Sequence, residues 1–110
     1  MESSRNINAT CPECRGPLTE VQLNGMREYR CLVGHAYSPR SVLQAHSETQ
    51  EKALWAAVVA LEEAANLVRI AAPQFAQPIP EKLETQAVQK LQQAAEIRNV
   101  LERLEPFVFE

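Results

Sequence analysis

Three cysteines and one histidine in the first third of the chain constrain its fold more than any other feature. Cys11 and Cys14 are separated by two residues, and the second pair, Cys31 and His35, begins after sixteen intervening residues. Two closely spaced thiols can bind one metal ion where the backbone bends into a tight turn, and a second turn can complete a tetrahedral shell. The set uses every cysteine of the chain, so we predict a structural Zn²⁺ site formed by Cys11, Cys14, Cys31 and His35.

Other readings of the same residues are weaker on chemical grounds. His46 could replace His35 as the fourth ligand, because it follows at short range. A redox Cys-x-x-Cys motif usually lies at the N-terminus of a helix, whereas Cys11 and Cys14 precede a hairpin pattern. A catalytic zinc keeps one coordination position open, and four protein ligands leave none. We therefore expect a structural metal.

The segment between the two ligand pairs predicts a β-hairpin. Leu18–Leu23 alternates between apolar and polar residues, Asn24-Gly25 is a strong turn signal, and Met26–Cys31 follows as the return strand. Two metal-binding turns on either side of a hairpin are typical of a zinc ribbon, which we place at residues 10–37. A unit of this size buries too little apolar surface to fold alone, so metal binding is expected to stabilise it.

Two long helices are predicted after the ribbon. Ser38-Pro39 is a helix start, with serine as the N-cap and proline in the first turn, and Pro73 is the next breaker. We therefore assign residues 38–72 to the first helix, 73–80 to a proline-rich linker and 81–105 to the second helix. The apolar stripe of the first helix comprises Leu54, Val58, Leu61, Ala65, Val68 and Ala72, and that of the second comprises Leu83, Ala87, Ala94, Ile97, Leu101 and Leu104.

The predicted fold is mainly α: a small zinc-ribbon β-hairpin followed by a long α-helical hairpin. Residues 1–9 are polar and are predicted to be flexible, and residues 106–110 form an apolar tail.

Composition excludes several functions. All fourteen acidic residues are glutamate, so no Ser-His-Asp triad and no aspartate-based calcium loop can form within this chain. The net charge is −3, and no strongly basic stripe suited to nucleic acid is present. The longest apolar run, Ala53–Leu61, is about half of the roughly 20 residues that a membrane-spanning helix needs. We expect no membrane segment and a reducing, cytoplasmic setting.

The helices offer the best surface for a partner. Trp55 and Val59 widen the first stripe beyond what one facing helix would cover. We therefore predict a non-catalytic, zinc-stabilised adaptor that binds a protein partner, with a homodimer through a four-helix bundle as one form of it. The residues predicted to bind the partner are Leu54, Trp55, Val58, Val59 and Leu61.

Two functions of other classes stay open. A nucleic-acid-binding zinc ribbon would use Arg15, Arg27 and Arg30 together with Tyr29. A zinc-dependent enzyme would require one of the four metal ligands to be wrongly assigned.

Three segments in order resemble a known bacterial module. These are Cys11-Pro-Glu-Cys14-Arg-Gly-Pro-Leu18, Tyr29-Arg-Cys31-Leu-Val-Gly-His35-Ala-Tyr-Ser-Pro39 and Ala53-Leu-Trp55-Ala-Ala-Val-Val-Ala-Leu61-Glu-Glu63. Over roughly residues 10–70 the chain resembles the C-terminal extension of some CheB-type chemotaxis protein-glutamate methylesterases. The resemblance implies a link to bacterial chemosensory or two-component signalling, and metal ligands at the same four positions. It does not carry over the methylesterase activity, because the catalytic domain has no counterpart here.

Overall fold

A computed structural model describes residues 3–110, and it contains a four-stranded antiparallel sheet followed by two helices. The elements are β1 (Ser3–Thr10), β2 (Pro17–Leu23), β3 (Met26–Arg30), β4 (Ala36–Tyr37), α1 (Pro39–Ala71), a 3₁₀ turn (Ala72–Gln74) and α2 (Ile79–Arg103). The strands lie in the order β1-β2-β3-β4. The prediction of a hairpin followed by two long helices is confirmed at this level, since α1 has 33 residues and α2 has 25.

The chain divides into two compact units. Residues up to Thr49 form the first unit together with Pro106–Glu110, and Gln50–Glu105 form the second. The sheet and the first turns of α1 belong to unit 1. The rest of α1 and the whole of α2 belong to unit 2.

The N-terminal segment corrects one prediction. Residues 1–9 were expected to be flexible; residues 1 and 2 lie outside the described residues, but from Ser3 onward the segment is strand β1, paired with β2. Ile7 and Ala9 pack against the core of unit 1, and the Arg5 guanidinium lies 2.7 Å from a carboxylate oxygen of Glu20 on β2. The pairing has an irregularity between Asn6 and Thr10. Backbone pairing and one cross-strand ion pair therefore hold a segment whose side chains are mostly polar.

The turn between β2 and β3 has the conformation that the Asn24-Gly25 pair predicts. Asn24 has φ 54° and Gly25 has φ 80°, so both central residues take the left-handed conformation that a two-residue hairpin turn requires. The register pairs Leu23 with Met26 and Thr19 with Arg30. The two flanking strands thus place the two turns that carry the predicted metal ligands at the same end of the hairpin.

The core of unit 1 is small. Val21 of β2 is buried apart from the main cluster, which consists of Cys11, Leu18, Cys31, Tyr37 and Val42. Two of these five are cysteines of the predicted metal site. The apolar core is therefore built directly against the ligand cluster.

Helix α1 begins with a reciprocal cap. The Ser41 backbone N–H donates to Ser38 Oγ at 3.1 Å, and the Ser38 backbone N–H donates to Ser41 Oγ at 2.9 Å. Ser38 therefore acts as the predicted N-cap, with Pro39 as the first helical residue. Val42 follows one turn later and is buried in the core of unit 1, which anchors the start of the helix to the sheet.

In unit 2 the remainder of α1 packs against α2 as an antiparallel hairpin. Val58 and Ala65 on α1, and Ala87 and Ala94 on α2, are buried, and every other residue of the two predicted stripes is half-buried. Two ion pairs join the helices: Arg69 with Glu84 at 3.3 Å and Arg98 with Glu62 at 3.1 Å. Three of these four buried residues are alanines, whose short side chains permit close helix packing.

The boundaries around the linker differ slightly from the prediction. Helix α2 begins at Ile79, two residues before the predicted start, because Pro80 fits the first turn of a helix, where its missing N–H is not needed. The predicted linker is thereby reduced, and its first part is a 3₁₀ turn.

The C-terminal tail groups with unit 1. Phe109 is half-buried, and the Arg40 guanidinium lies 4.6 Å from the centre of its ring. Phe107 and Val108 are exposed. Among the residues that the structure describes, neither helix combines the length and the apolar character needed to cross a bilayer.

Candidate metal centre

Two tight turns, which we call the first and second knuckle, hold the predicted ligands. In the first, the Cys11 N–H donates to the Gly16 carbonyl at 2.7 Å and the Arg15 N–H donates to the Cys11 carbonyl at 2.8 Å. In the second, the Cys31 N–H donates to the His35 carbonyl at 3.0 Å. These backbone bonds fold each ligand pair back on itself.

Each knuckle contains one residue in the left-handed region. Arg15 has φ 63° and Gly34 has φ 104°. In the first knuckle Arg15 takes this conformation, although a glycine, Gly16, follows it directly. The reversal of the chain comes one residue earlier than glycine placement suggests, and an arginine adopts a backbone conformation that usually favours glycine.

The four ligand atoms form a compact cluster. One atom each from Cys11, Cys14, Cys31 and His35 lie within 4.8 Å of one another. His35 Nδ1 is 3.2 Å from Cys31 Sγ and 3.6 Å from Cys11 Sγ. Ligands bound tetrahedrally to one zinc at about 2.0–2.3 Å would be roughly 3.5–3.8 Å apart. The donor set and its spacing are therefore compatible with one metal ion.

The cluster lies between the core of unit 1 and solvent. Cys11 is fully buried and Cys31 nearly so, whereas Cys14 is exposed and His35 is half-buried. Both knuckles thus contribute one buried thiol, and the remaining two ligands close the cluster from the outer side.

Hydrogen bonds from neighbouring polar groups lower the pKa of the buried Cys11 thiol. Burial raises the pKa of Cys11, but hydrogen bonds from the Tyr37 hydroxyl and from the backbone N–H groups of Cys14 and Glu13 outweigh it and lower the pKa to about 6. A thiolate at neutral pH is the form that binds a metal ion. For Tyr37, burial and the hydrogen bond to Cys11 both raise the pKa, so this hydroxyl stays protonated and can donate.

Two residues outside the ligand set contact it, and sequence reasoning missed both. The Glu13 carboxylate lies 2.8 Å from His35 Nε2, on the side of the ring opposite the thiols. The Tyr37 hydroxyl lies 3.5 Å from Cys11 Sγ. The only signals in the sequence were their positions, Glu13 between two ligands and Tyr37 two residues after the last one.

The alternative fourth ligand is placed elsewhere. His46 lies on α1, and its Nε2 is 3.0 Å from the Thr10 carbonyl oxygen. His46 therefore supports the backbone just before Cys11, and His35 is the histidine within reach of the thiols.

The residues predicted to bind a partner are not equally accessible. Val58 is fully buried within the helical hairpin, and Leu54 and Leu61 are half-buried, so Val58 cannot contribute to a surface of this unit. This corrects the prediction for Val58, since it packs in the interior of unit 2. Trp55 and Val59 remain 43% and 47% exposed.

Trp55 is one wall of a shallow cavity within unit 2. The Arg98 guanidinium lies 5.3 Å from the centre of its ring, and Glu51, Leu101 and Glu102 line the same cavity. The cavity therefore combines an aromatic wall with charges of both signs.

Two of the three arginines that a nucleic-acid-binding ribbon would use form ion pairs with glutamates. Arg27 forms an ion pair with Glu20 at 3.3 Å, and Arg30 forms one with Glu28 at 2.6 Å. Tyr29 packs partly against the core of unit 1. These contacts reduce the positive charge and the aromatic surface that a phosphate backbone and bases would meet.

Comparison of the chain with protein-family models, with curated proteins and with solved structures gave no match.

Proposed function

We propose that Cys11, Cys14, Cys31 and His35 bind one structural Zn²⁺, and that the protein is a non-catalytic adaptor stabilised by this metal. The observation that carries the proposal is the closed donor set: three thiols and one imidazole within 4.8 Å of one another fill a tetrahedral shell. No position is left for a substrate or a reactive water. Thiolate-rich sites of this kind favour zinc over magnesium or calcium, which prefer oxygen ligands.

The experiment is metal analysis followed by cobalt substitution. We expect one zinc per chain and, in the Co²⁺ form, the intense absorption bands of four-coordinate cobalt with sulfur-to-metal charge transfer. Spectra typical of five-coordinate cobalt, or spectra that change when small anions are added, would indicate an open position. That result would favour the zinc-enzyme alternative and contradict the structural assignment.

The adaptor role is proposed for the helical hairpin of unit 2. Trp55 and Val59 form an exposed apolar strip, and aromatic side chains are frequent anchors of protein interfaces. We propose that a protein partner covers this strip, with a second copy of the chain as one candidate. Sedimentation analysis at micromolar concentration tests the second copy, since a strict monomer would rule it out. Affinity capture with the wild type and with Trp55→Ala then tests other partners.

The resemblance to the extension of CheB-type methylesterases supports placing this adaptor in chemosensory or two-component signalling of bacteria. The support lies in the three sequence segments, which include all four metal ligands and Trp55. If captured partners included no signalling protein, this part of the proposal would fall while the metal site stood. A gel shift at low salt tests the nucleic-acid alternative, for which we expect no retardation.

A further inference from the structure

Glu13 contacts the histidine of the metal centre on the side that faces away from the thiols. Its Oε2 lies 2.8 Å from His35 Nε2, while His35 Nδ1 lies 3.2 Å from Cys31 Sγ. The two ring nitrogens therefore have different partners, one among the ligands and one in a carboxylate.

This geometry restricts the tautomer of His35. An imidazole that binds a metal through Nδ1 must carry its proton on Nε2, and that N–H then donates to the carboxylate. A carboxylate in this position fixes the orientation of the ring and makes the ligating nitrogen a stronger donor. The other tautomer would place a proton on Nδ1, between the ring and the thiols, and would prevent binding.

The position of Glu13 in the chain adds a second consequence. Glu13 lies between Cys11 and Cys14 in the first knuckle, and His35 ends the second. The contact is therefore a side-chain link between the two knuckles. The knuckle that supplies Cys11 and Cys14 therefore also helps to position the fourth ligand, His35.

We propose that Glu13 is a positioning residue of the metal centre: it holds His35 in the Nε2-protonated form, with Nδ1 directed at the metal. This inference rests on the proposed zinc site. Glu13 does not contact the metal itself, so its removal should weaken binding without abolishing it.

The solvent exposure of Glu13 and His35 limits the expected loss of zinc affinity. Loss of a carboxylate hydrogen-bonded to a metal-binding histidine typically weakens metal affinity by about 10–100-fold. The Glu13 side chain is 60% exposed and that of His35 is 35% exposed, so water partly replaces the lost partner. We expect the zinc dissociation constant to rise about 10-fold in Glu13→Ala, and by less in Glu13→Gln, whose amide oxygen can still accept the Nε2–H.

The test uses the full chain titrated with Zn²⁺ against a chromophoric chelator. Glu28→Gln is the matched control, because Glu28 is also a partly exposed glutamate of unit 1 and pairs with Arg30 instead of His35. Long-range ¹H–¹⁵N NMR of the zinc-loaded wild type gives a second readout, namely which nitrogen of His35 carries the proton. We expect a protonated Nε2 and a metal-bound Nδ1.

A double mutant separates positioning from general electrostatics. In a His35→Cys background the fourth ligand is a thiolate with no second nitrogen to hold, so adding Glu13→Ala should no longer weaken zinc binding. Equal losses in both backgrounds would mean that Glu13 acts only through its charge, and would overturn the inference.

The remaining outcomes distinguish the two proposals. A Glu13→Ala affinity within about twofold of the wild type, or a His35 bound through Nε2, overturns the role of Glu13 and leaves the zinc site intact. A wild-type chain that binds no zinc in the competition assay overturns both proposals.

Discussion

Substitution of Cys14 is the cleanest way to remove the proposed metal without damaging the core. Cys14 is the exposed thiol of the cluster, whereas Cys11 is fully buried and packs with Leu18. Cys14→Ser therefore deletes one ligand without opening a cavity. Any loss of structure in this variant would be due to loss of the proposed metal, because serine and cysteine differ little in size and the Cys14 side chain is already in contact with water.

The expected result is unfolding of unit 1 with the helical hairpin of unit 2 retained. Structural zinc contributes about 10–16 kcal/mol of apparent binding free energy in small zinc domains, and this free energy is coupled to folding. Apart from its two cysteines, the buried apolar residues of the described part of unit 1 are Leu18, Val21, Tyr37 and Val42. Four side chains are too few to replace the proposed metal, since a single core in a scaffold this small rarely supplies more than about 3–5 kcal/mol.

The size of the spectroscopic change follows from the helix boundaries. Pro39–Thr49 supplies 11 of the 33 residues of α1, and all 25 residues of α2 lie in unit 2. Loss of unit 1 therefore removes at most about a fifth of the helical signal.

Two measurements on the same samples check the prediction. Far-ultraviolet circular dichroism follows the helices, and amide hydrogen exchange follows the β2–β3 ladder. Wild type treated with a strong chelator should match Cys14→Ser, with fast exchange at Val21 and a largely preserved helical signal. The reasoning would be refuted if the ladder amides stayed equally protected after metal removal, because the sheet would then be stable without the cluster.

Three further substitutions test individual contacts. Gly34→Ala should lower the unfolding free energy of the zinc-loaded protein by about 1–3 kcal/mol in denaturant titration. Residue 34 has φ 104°, which is strained for alanine even though an added Cβ would meet no neighbouring atom, and unchanged stability would contradict this. Ala87→Leu should destabilise the hairpin by about 1–3 kcal/mol through overpacking at a fully buried site, with exposed Ala95→Leu as the near-neutral control in thermal unfolding. Arg98→Met should cost only about 0.5–1 kcal/mol but should shift the fluorescence of Trp55, the single tryptophan; an unchanged emission spectrum would argue against the stacked guanidinium.

Local signals with a strong physical cause were sufficient for much of the fold. The Asn24-Gly25 pair predicted the turn because few other residues accept positive φ at both positions. Ser38-Pro39 predicted the start of α1 because the serine side chain satisfies a free N–H of the first turn. The spacing of the apolar residues predicted which faces of the two helices are buried.

Strand β1 could not be predicted in the same way. Its side chains are mostly polar, and its partner strand begins only at Pro17, after the first knuckle. Ile7 and Ala9 do alternate toward the core, but two apolar residues are a weak pattern. The strand is held by backbone hydrogen bonds to β2 and by the Arg5–Glu20 ion pair, and neither is visible before the topology is known.

The four candidate ligands could be predicted from the sequence, whereas the residues that contact them could not. The difference again depends on whether a structure is local in the chain. Spacing along the chain is enough to bring four ligands together, because each knuckle is a local structure. The contact between Glu13 and His35 crosses from one knuckle to the other and depends on how the hairpin aligns them. Glutamate is also the only acidic residue type in this chain, so its presence at position 13 carries little information by itself.

The four predicted ligands differ in burial, and this difference indicates which of them are coupled to the folding of unit 1 and which mainly affect metal affinity. Cys11 and Cys31 are tied to the core through burial, and Tyr37 adds a hydrogen bond to Cys11 from the same side. Cys14 and His35 face outward and depend on the knuckle backbone and on Glu13. Changes on the buried side should therefore alter folding and metal binding together, whereas changes on the outer side should alter metal affinity first and folding only through the loss of the metal.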